Sequence, residues 1–134
     1  EFIHLIHSVD SLRLLDQINK ESIKKKLKTD ILIQVKISKD VSKYGFLTNE
    51  LDNVFKNYLS NKYRNINILG LMGMATFTEN ISQIESEFSL LSSLYNKYSK
   101  MTNLKYLSMG MSGDYLLALK YNSNMIRLGS AIFN

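Results

Sequence analysis

A chain of 134 residues with 45% hydrophobic content suffices for one domain with its own core, and a mean hydropathy of −0.12 is that of a globular protein. No apolar run approaches the ~20 residues of a spanning helix, and the absence of cysteine excludes disulfides, thiolate metal sites and a cysteine nucleophile, which fits a cytoplasmic setting. The net charge of +5 raises nucleic acid as a partner, but the one dense basic run, Lys24-Lys25-Lys26 with Lys28, falls at an expected helix end where cations complement the dipole. No nucleic-acid motif accompanies it, so neither nucleic acid nor a membrane is expected as a partner.

Apolar runs of strand type alternate with helix-period stretches. Phe2–Ile6 reads as a first strand, and Ser8 or Asp10 is placed to cap a helix whose apolar face is Leu12, Leu15 and Ile18. Ile31–Ile37 is β-branched and nearly continuous, as a buried parallel strand should be. A loop over 38–46 leads to a helix near Thr48–Leu59. The third strand is Asn67–Met72, followed by the longest helix, about Asn80–Lys100, with Ile84, Phe88, Leu91, Leu94 and Tyr95 at 3–4-residue spacing. Leu104–Met109 is the fourth strand, with a short helix over Tyr115–Tyr121. Met125–Leu128 is the fifth, and Ser130–Phe133 begins a helical turn.

Five strands alternating with four helices predict βα units and a parallel sheet. Five units make either an open α/β sheet or part of an eight-stranded barrel. Two strands end at small hydroxyl-bearing turns. One offers Gly110, Ser112 and Gly113; the other offers Gly129 and Ser130 behind the cation Arg127. Backbone N–H groups and a hydroxyl opening a helical turn can seat a phosphate, so the pair points to a phosphorylated ligand at a barrel rim. Ordinary turn chemistry is the alternative for Ser112, Gly129 and Ser130.

Five segments, in order, carry a family resemblance. They are His7-Ser8-Val9-Asp10-Ser11; Ile33-Gln34-Val35-Lys36-Ile37-Ser38 with Ser42-Lys43-Tyr44-Gly45-Phe46; Leu69-Gly70-Leu71-Met72; Leu107-Ser108-Met109-Gly110-Met111-Ser112-Gly113-Asp114; and Arg127-Leu128-Gly129-Ser130-Ala131-Ile132-Phe133. Across essentially its whole length the chain resembles the pyridoxal phosphate homeostasis protein family, whose members have the alanine racemase N-terminal barrel fold. Departures are Lys36 for a usual Asn, Asp40 for Glu, Gly73 for Ala, Ser130 for Thr and Asn134 for Gly. None of them removes a phosphate donor.

The resemblance implies an α/β fold: a partial (β/α)₈ TIM barrel of about five βα units, the fourth to eighth strands. Residues 1–134 would be the C-terminal portion of a single barrel domain, with the first three βα units missing. It implies pyridoxal 5′-phosphate (PLP) as cofactor, held as an aldimine by a lysine expected upstream of Glu1. It also implies a non-catalytic carrier in intracellular PLP homeostasis, monomeric at full length, with PLP-dependent apoenzymes as recipients. On this pattern Ser112, Gly129 and Ser130 serve the phosphate and Arg127 faces the pyridine nitrogen. Met72 packs on the ring, and Lys43 is an auxiliary contact near the mouth.

Plainer readings stand beside these. Arg127 would pair with a carboxylate, Met72 would be a core methionine, Lys43 a solvated loop lysine, and His4 and His7 structural rather than metal ligands. The competing function is a fragment of a PLP-dependent alanine racemase-like enzyme; a further one is an unrelated phosphate-binding barrel. Alone, such a piece exposes two apolar strand edges, so marginal stability and self-association are expected.

Overall fold

The alternation of strand and helix signals becomes a singly wound sheet. The computed structural model describes residues 5–41 and 44–127. Its elements are β1 (Ile6–Val9), α1 (Leu12–Lys24), β2 (Thr29–Gln34), a 3₁₀ turn (Thr48–Glu50) running into α2 (Leu51–Leu59), β3 (Ile66–Met72), α3 (Ile81–Ser99), β4 (Tyr106–Ser108) and α4 (Tyr115–Lys120). The four strands are all parallel and lie in the order β1-β2-β3-β4. Sequential order without reversal leaves every helix on one side of the sheet, as in a barrel wall. One core cluster confirms it: Leu15 of α1, Val54 and Phe55 of α2, Phe88 and Leu91 of α3 and Ala118 of α4 pack with Ile31, Ile33, Ile68 and Leu71 of the strands.

Pairing moved several expected boundaries. Of the expected first strand, residues 2–4 lie outside the described residues; β1 takes in His7 and Ser8 beyond the expected Ile6, because its register is set by Ile6 against Ile31 and Val9 against Ile33. Ser8 and Asp10 are therefore not the helix cap. Ser11, extended at φ −156° and ψ 156°, accepts from the Leu14 N–H at 3.2 Å instead. The second strand stops at Gln34, three residues short of the expected Ile37. Phe46 returns from the loop, donating its N–H to Gln34 O and accepting from Lys36 N, both at 2.8 Å. That return needs Gly45: its φ is +146°, and a Cβ there would stand 2.5 Å from Lys36 N. The fourth strand is Tyr106–Ser108, shorter than Leu104–Met109.

Of the fifth strand, the described residues hold one bridge, Met125 to Ser108, extended by Met109 N–H to Met125 O at 3.1 Å and Arg127 N–H to Gly110 O at 2.9 Å. Leu128 and the turn over Ser130–Phe133 lie outside the described residues. The longest helix agrees at both ends: Asn80 caps α3 by accepting from Gln83 N–H, and Lys100 is its C-cap. Lys24, Lys25, Lys26 and Lys28 are exposed at the C-terminal end of α1.

α2 and α3 are joined by a stacked pair, Phe55 on Tyr98, with ring centroids 4.4 Å apart and an angle of 11°. The buried Tyr98 hydroxyl donates to Asp52 Oδ1 at 2.6 Å. Burial, then this bond, push the Tyr98 hydroxyl up; the same bond, then Lys97, hold Asp52 below its ordinary value. A carboxylate with a depressed folded-state pKa stabilises above its unfolded value, and that stabilisation is lost as pH falls through the folded one. Tyr98→Phe should therefore lower the thermal midpoint by a few degrees at pH 7, and the gap to wild type should close as pH drops below 3.8. Melting curves across pH read this directly.

Candidate functional site

A bulge decides what faces the concave side of the sheet. β2 and β3 pair as Ile31–Ile68 and then Leu32–Gly70, so Leu69 is an extra residue. Before the bulge Ile66 and Ile68 point to the helices; after it Leu71 does, and Gly70 and Met72 turn to the opposite side. The register then places Gln34, Met72 and Ser108 side by side in one row across β2, β3 and β4. All three are buried, and none belongs to the helix-side cluster.

Arg127 completes this row from the next segment. Its Nη1 donates to Ser108 Oγ at 3.1 Å, and Nη2 lies 3.5 Å from the carbonyl oxygen of Gly73, directly after β3. The side chain is half-buried, and no carboxylate lies within ion-pair distance of it among the described residues. Burial pulls the guanidinium below its ordinary value, and the charge of Asp114 works in the opposite direction. It remains a cation at neutral pH, because a guanidinium does not lose its proton in proteins. A cation fixed through two neutral acceptors keeps its charge available to an anion or a ring nitrogen.

The turn after β4 lies next to Arg127 through the bond to Gly110 O. Gly110 has φ +108°, and a Cβ there would stand 2.7 Å from Ala118 Cβ, so only glycine brings α4 this close. Met111 N–H donates to Asp114 Oδ1 at 2.7 Å, closing the turn, and its tip opens outward, with no atom within 4 Å of the position a Gly113 Cβ would take. Ser112, at that tip, is half-exposed.

Of the six residues expected in the site, the structure places Met72 and Arg127 on either side of Ser108, and Ser112 on the adjoining turn. Lys43, Gly129 and Ser130 lie outside the described residues. Gln34 and Ser108 were missed, although a polar residue near the C-terminal end of an apolar strand is a signal the sequence does carry. Gln34 Nε2 donates to Tyr44 O at 2.9 Å and so ties the loop to the row. Lys36, two residues beyond β2, donates through Nζ to Asp40 O at 2.7 Å. Two cavities, of about 510 and 250 Å³, open beside α1 and below α2, and none of the row residues lines them. Among the described residues no cluster of three metal-ligating side chains occurs, and no helix is long and apolar enough to cross a membrane.

A parallel strand–helix repeat with helices on one side defines an α/β fold of the barrel-wall kind, and the row of polar groups at its strand ends is the candidate site. The chain belongs to the family described as alanine racemase, N-terminal domain, which it matches over residues 1–134. Within it, the chain is similar to the pyridoxal phosphate homeostasis protein of Aquifex aeolicus, at 32% identity over 131 residues covering 96% of this chain and 57% of that protein. The chain thus spans little more than half the length of that relative. PipY of Synechococcus elongatus, solved without PLP, superposes with a TM-score of 0.81 at 26% identity over 97% of this chain and 61% of that one. The same protein with PLP bound gives a TM-score of 0.82 at 24% identity, covering 97% and 60%.

Proposed function

We propose that this chain is the C-terminal part of a PLP-binding carrier of intracellular PLP homeostasis, and that it contributes the phosphate and ring-nitrogen side of the cofactor site. The observation that carries this is Arg127: a half-buried guanidinium at the strand ends, fixed by Ser108 Oγ and the Gly73 carbonyl, with no carboxylate in ion-pair distance among the described residues. A half-buried cation so placed is costly unless something polar completes it, and its donor set suits PLP. In this reading the chain supplies the fourth to eighth strands of a (β/α)₈ barrel, and the lysine that anchors the cofactor belongs to its first strand. The similarity to proteins named for PLP homeostasis, and a neighbour solved with PLP bound, support it.

Bound PLP supplies an aldehyde for amines and a ring that withdraws electrons when its nitrogen is protonated. Arg127 facing that nitrogen disfavours the protonated form and so weakens the ring as an electron sink, which suits holding the cofactor better than turning it over. Ser112, with Gly129 and Ser130, serves the phosphate through hydroxyl and backbone N–H donors. Met72, beside Ser108 in the row, packs on the ring, and Lys43 is an auxiliary contact on the loop. Recipients are PLP-dependent apoenzymes, the setting is cytoplasmic, and the full-length protein acts as a monomer.

The test is a titration of the full-length protein with PLP, followed by absorbance, together with an alanine racemisation assay. Stoichiometric uptake without racemisation is the expected outcome. Racemisation of either alanine enantiomer would establish an enzyme instead, and a protein that takes phosphate but no PLP would establish a different phosphate-binding barrel.

A further inference from the structure

Glu87 is a carboxylate buried on α3, only 5% exposed, with no ion pair among the described residues. Burying a charge is expensive unless hydrogen bonds satisfy it, so its partners show what it is there to hold. Oε1 accepts from Thr76 N–H at 2.7 Å. Oε2 accepts from the Thr76 hydroxyl at 2.6 Å and from Gln83 Nε2 at 3.2 Å. Except for Gln83, one turn back on the same helix, every partner of Glu87 among the described residues belongs to one residue of the loop after β3.

Thr76 in turn holds the loop after β2. With its proton committed to Glu87, its oxygen is free to accept, and it takes Lys39 N–H at 2.8 Å. Ser38 Oγ stands 3.3 Å away and accepts from Asp40 N–H at 2.8 Å, while Asp40 Oδ2 accepts from Phe77 N–H at 2.9 Å. Lys36 Nζ closes the set on Asp40 O. The two loops leave β2 and β3 just beyond Gln34 and Met72, and the second starts at Gly73, whose carbonyl seats Arg127. The polarity matters: a hydroxyl has one proton, and an acceptor at position 87 turns it toward α3 and leaves the lone pairs to Lys39 N–H and, at 3.2 Å, Gln83 Nε2.

We infer that Glu87 is a positioning residue: through Thr76 it locks the loops after β2 and β3 into one wall of the ligand mouth. This rests on reading the C-terminal strand ends as the PLP site. The experiment compares wild type, Thr76→Val, Thr76→Ser and Glu87→Gln in the full-length protein. It measures PLP affinity and the absorbance of bound PLP, amide hydrogen exchange at Lys39 without ligand, and the thermal midpoint. Thr76→Val keeps the shape but removes the acceptor for Lys39; Glu87→Gln keeps one acceptor oxygen, so its NH2 is set either against the Thr76 N–H or against the Thr76 hydroxyl proton and Gln83 Nε2.

Both should speed exchange at Lys39 and weaken PLP binding on the order of 10-fold. Thr76→Ser should restore both to wild-type values. Faster exchange at Lys39 with unchanged PLP affinity would overturn the positioning role, as would unchanged exchange in Thr76→Val. Equal losses in Thr76→Val and Thr76→Ser would also overturn it, marking packing of the methyl group as the cause. A wild-type protein that takes up no PLP would reject the ligand reading itself, and with it the positioning role; this is distinguishable because it appears before any variant is made.

Discussion

Arg127→Ala will weaken PLP binding by the full-length protein roughly 10- to 100-fold. That range is what removal of one charge-assisted hydrogen bond, about 1.5–3 kcal/mol, amounts to in a dissociation constant. The substitution has a second consequence that must be separated from the first. Ser108 Oγ sits in a fully buried residue and has the guanidinium as its partner, so the truncation orphans a buried hydroxyl at a cost of about 1–3 kcal/mol in folding stability. Adding Ser108→Ala to Arg127→Ala removes that orphan. The double variant should regain part of the lost stability in denaturant unfolding and none of the lost affinity. Arg127→Lys should recover little of either, because one ammonium cannot span Ser108 Oγ and the Gly73 carbonyl as the planar guanidinium does. PLP affinity that follows stability across these variants would mark Arg127 as a purely structural residue.

The largest stability effect is expected at Gly70. β3 and β4 meet there as Gly70 against Tyr106, and a Cβ on Gly70 would run into the Tyr106 carbonyl oxygen. The obstacle is backbone rather than the far end of a side chain, so no rotamer change relieves it; the two strands must part or shift register. Overpacking at a rigid site costs on the order of 3 kcal/mol or more, a large share of the 5–15 kcal/mol that holds an ordinary domain together. Gly70→Ala should lower the thermal midpoint by roughly 10 °C or more. It should also disturb the row beyond, since Met72 and Ser108 are paired two residues further along the same two strands. Gly113→Ala is the control for stability, because a Cβ there meets nothing within 4 Å. Equal midpoints for the two variants would show that the β3–β4 approach tolerates a methyl group.

The fold was legible wherever its physics is local. Asn80 and Lys100 bound α3 as expected, since a capping side chain and the apolar stripe of Ile84, Phe88 and Leu91 are both written within one helix. Strand ends were read less well, because a strand ends where its partner ends. Ser8 looked like a cap and became part of β1 once Val9 paired with Ile33, and β2 stopped at Gln34 when Phe46 came back from the loop to bond on either side of Val35. Such pairing depends on residues tens of positions away, and no window of neighbouring sequence contains it.

The site divides in the same way. By itself the sequence determined the parallel strand–helix repeat, the small hydroxyl-bearing turn at 110–113, and a lone cation set in an apolar strand, because periodicity, turn chemistry and charge are properties of short segments. Only the tertiary structure decided which of these groups meet. The bulge at Leu69 reverses the facing of β3 and sends Met72 to the concave side instead of the helix side. Register then brings Gln34 and Ser108 to Met72, and the packing of α3 buries Glu87 against Thr76. An inserted residue in one strand flips every side chain beyond it, and a buried carboxylate is tolerated only where distant donors converge; both depend on long-range contacts, which form after local preferences have had their say.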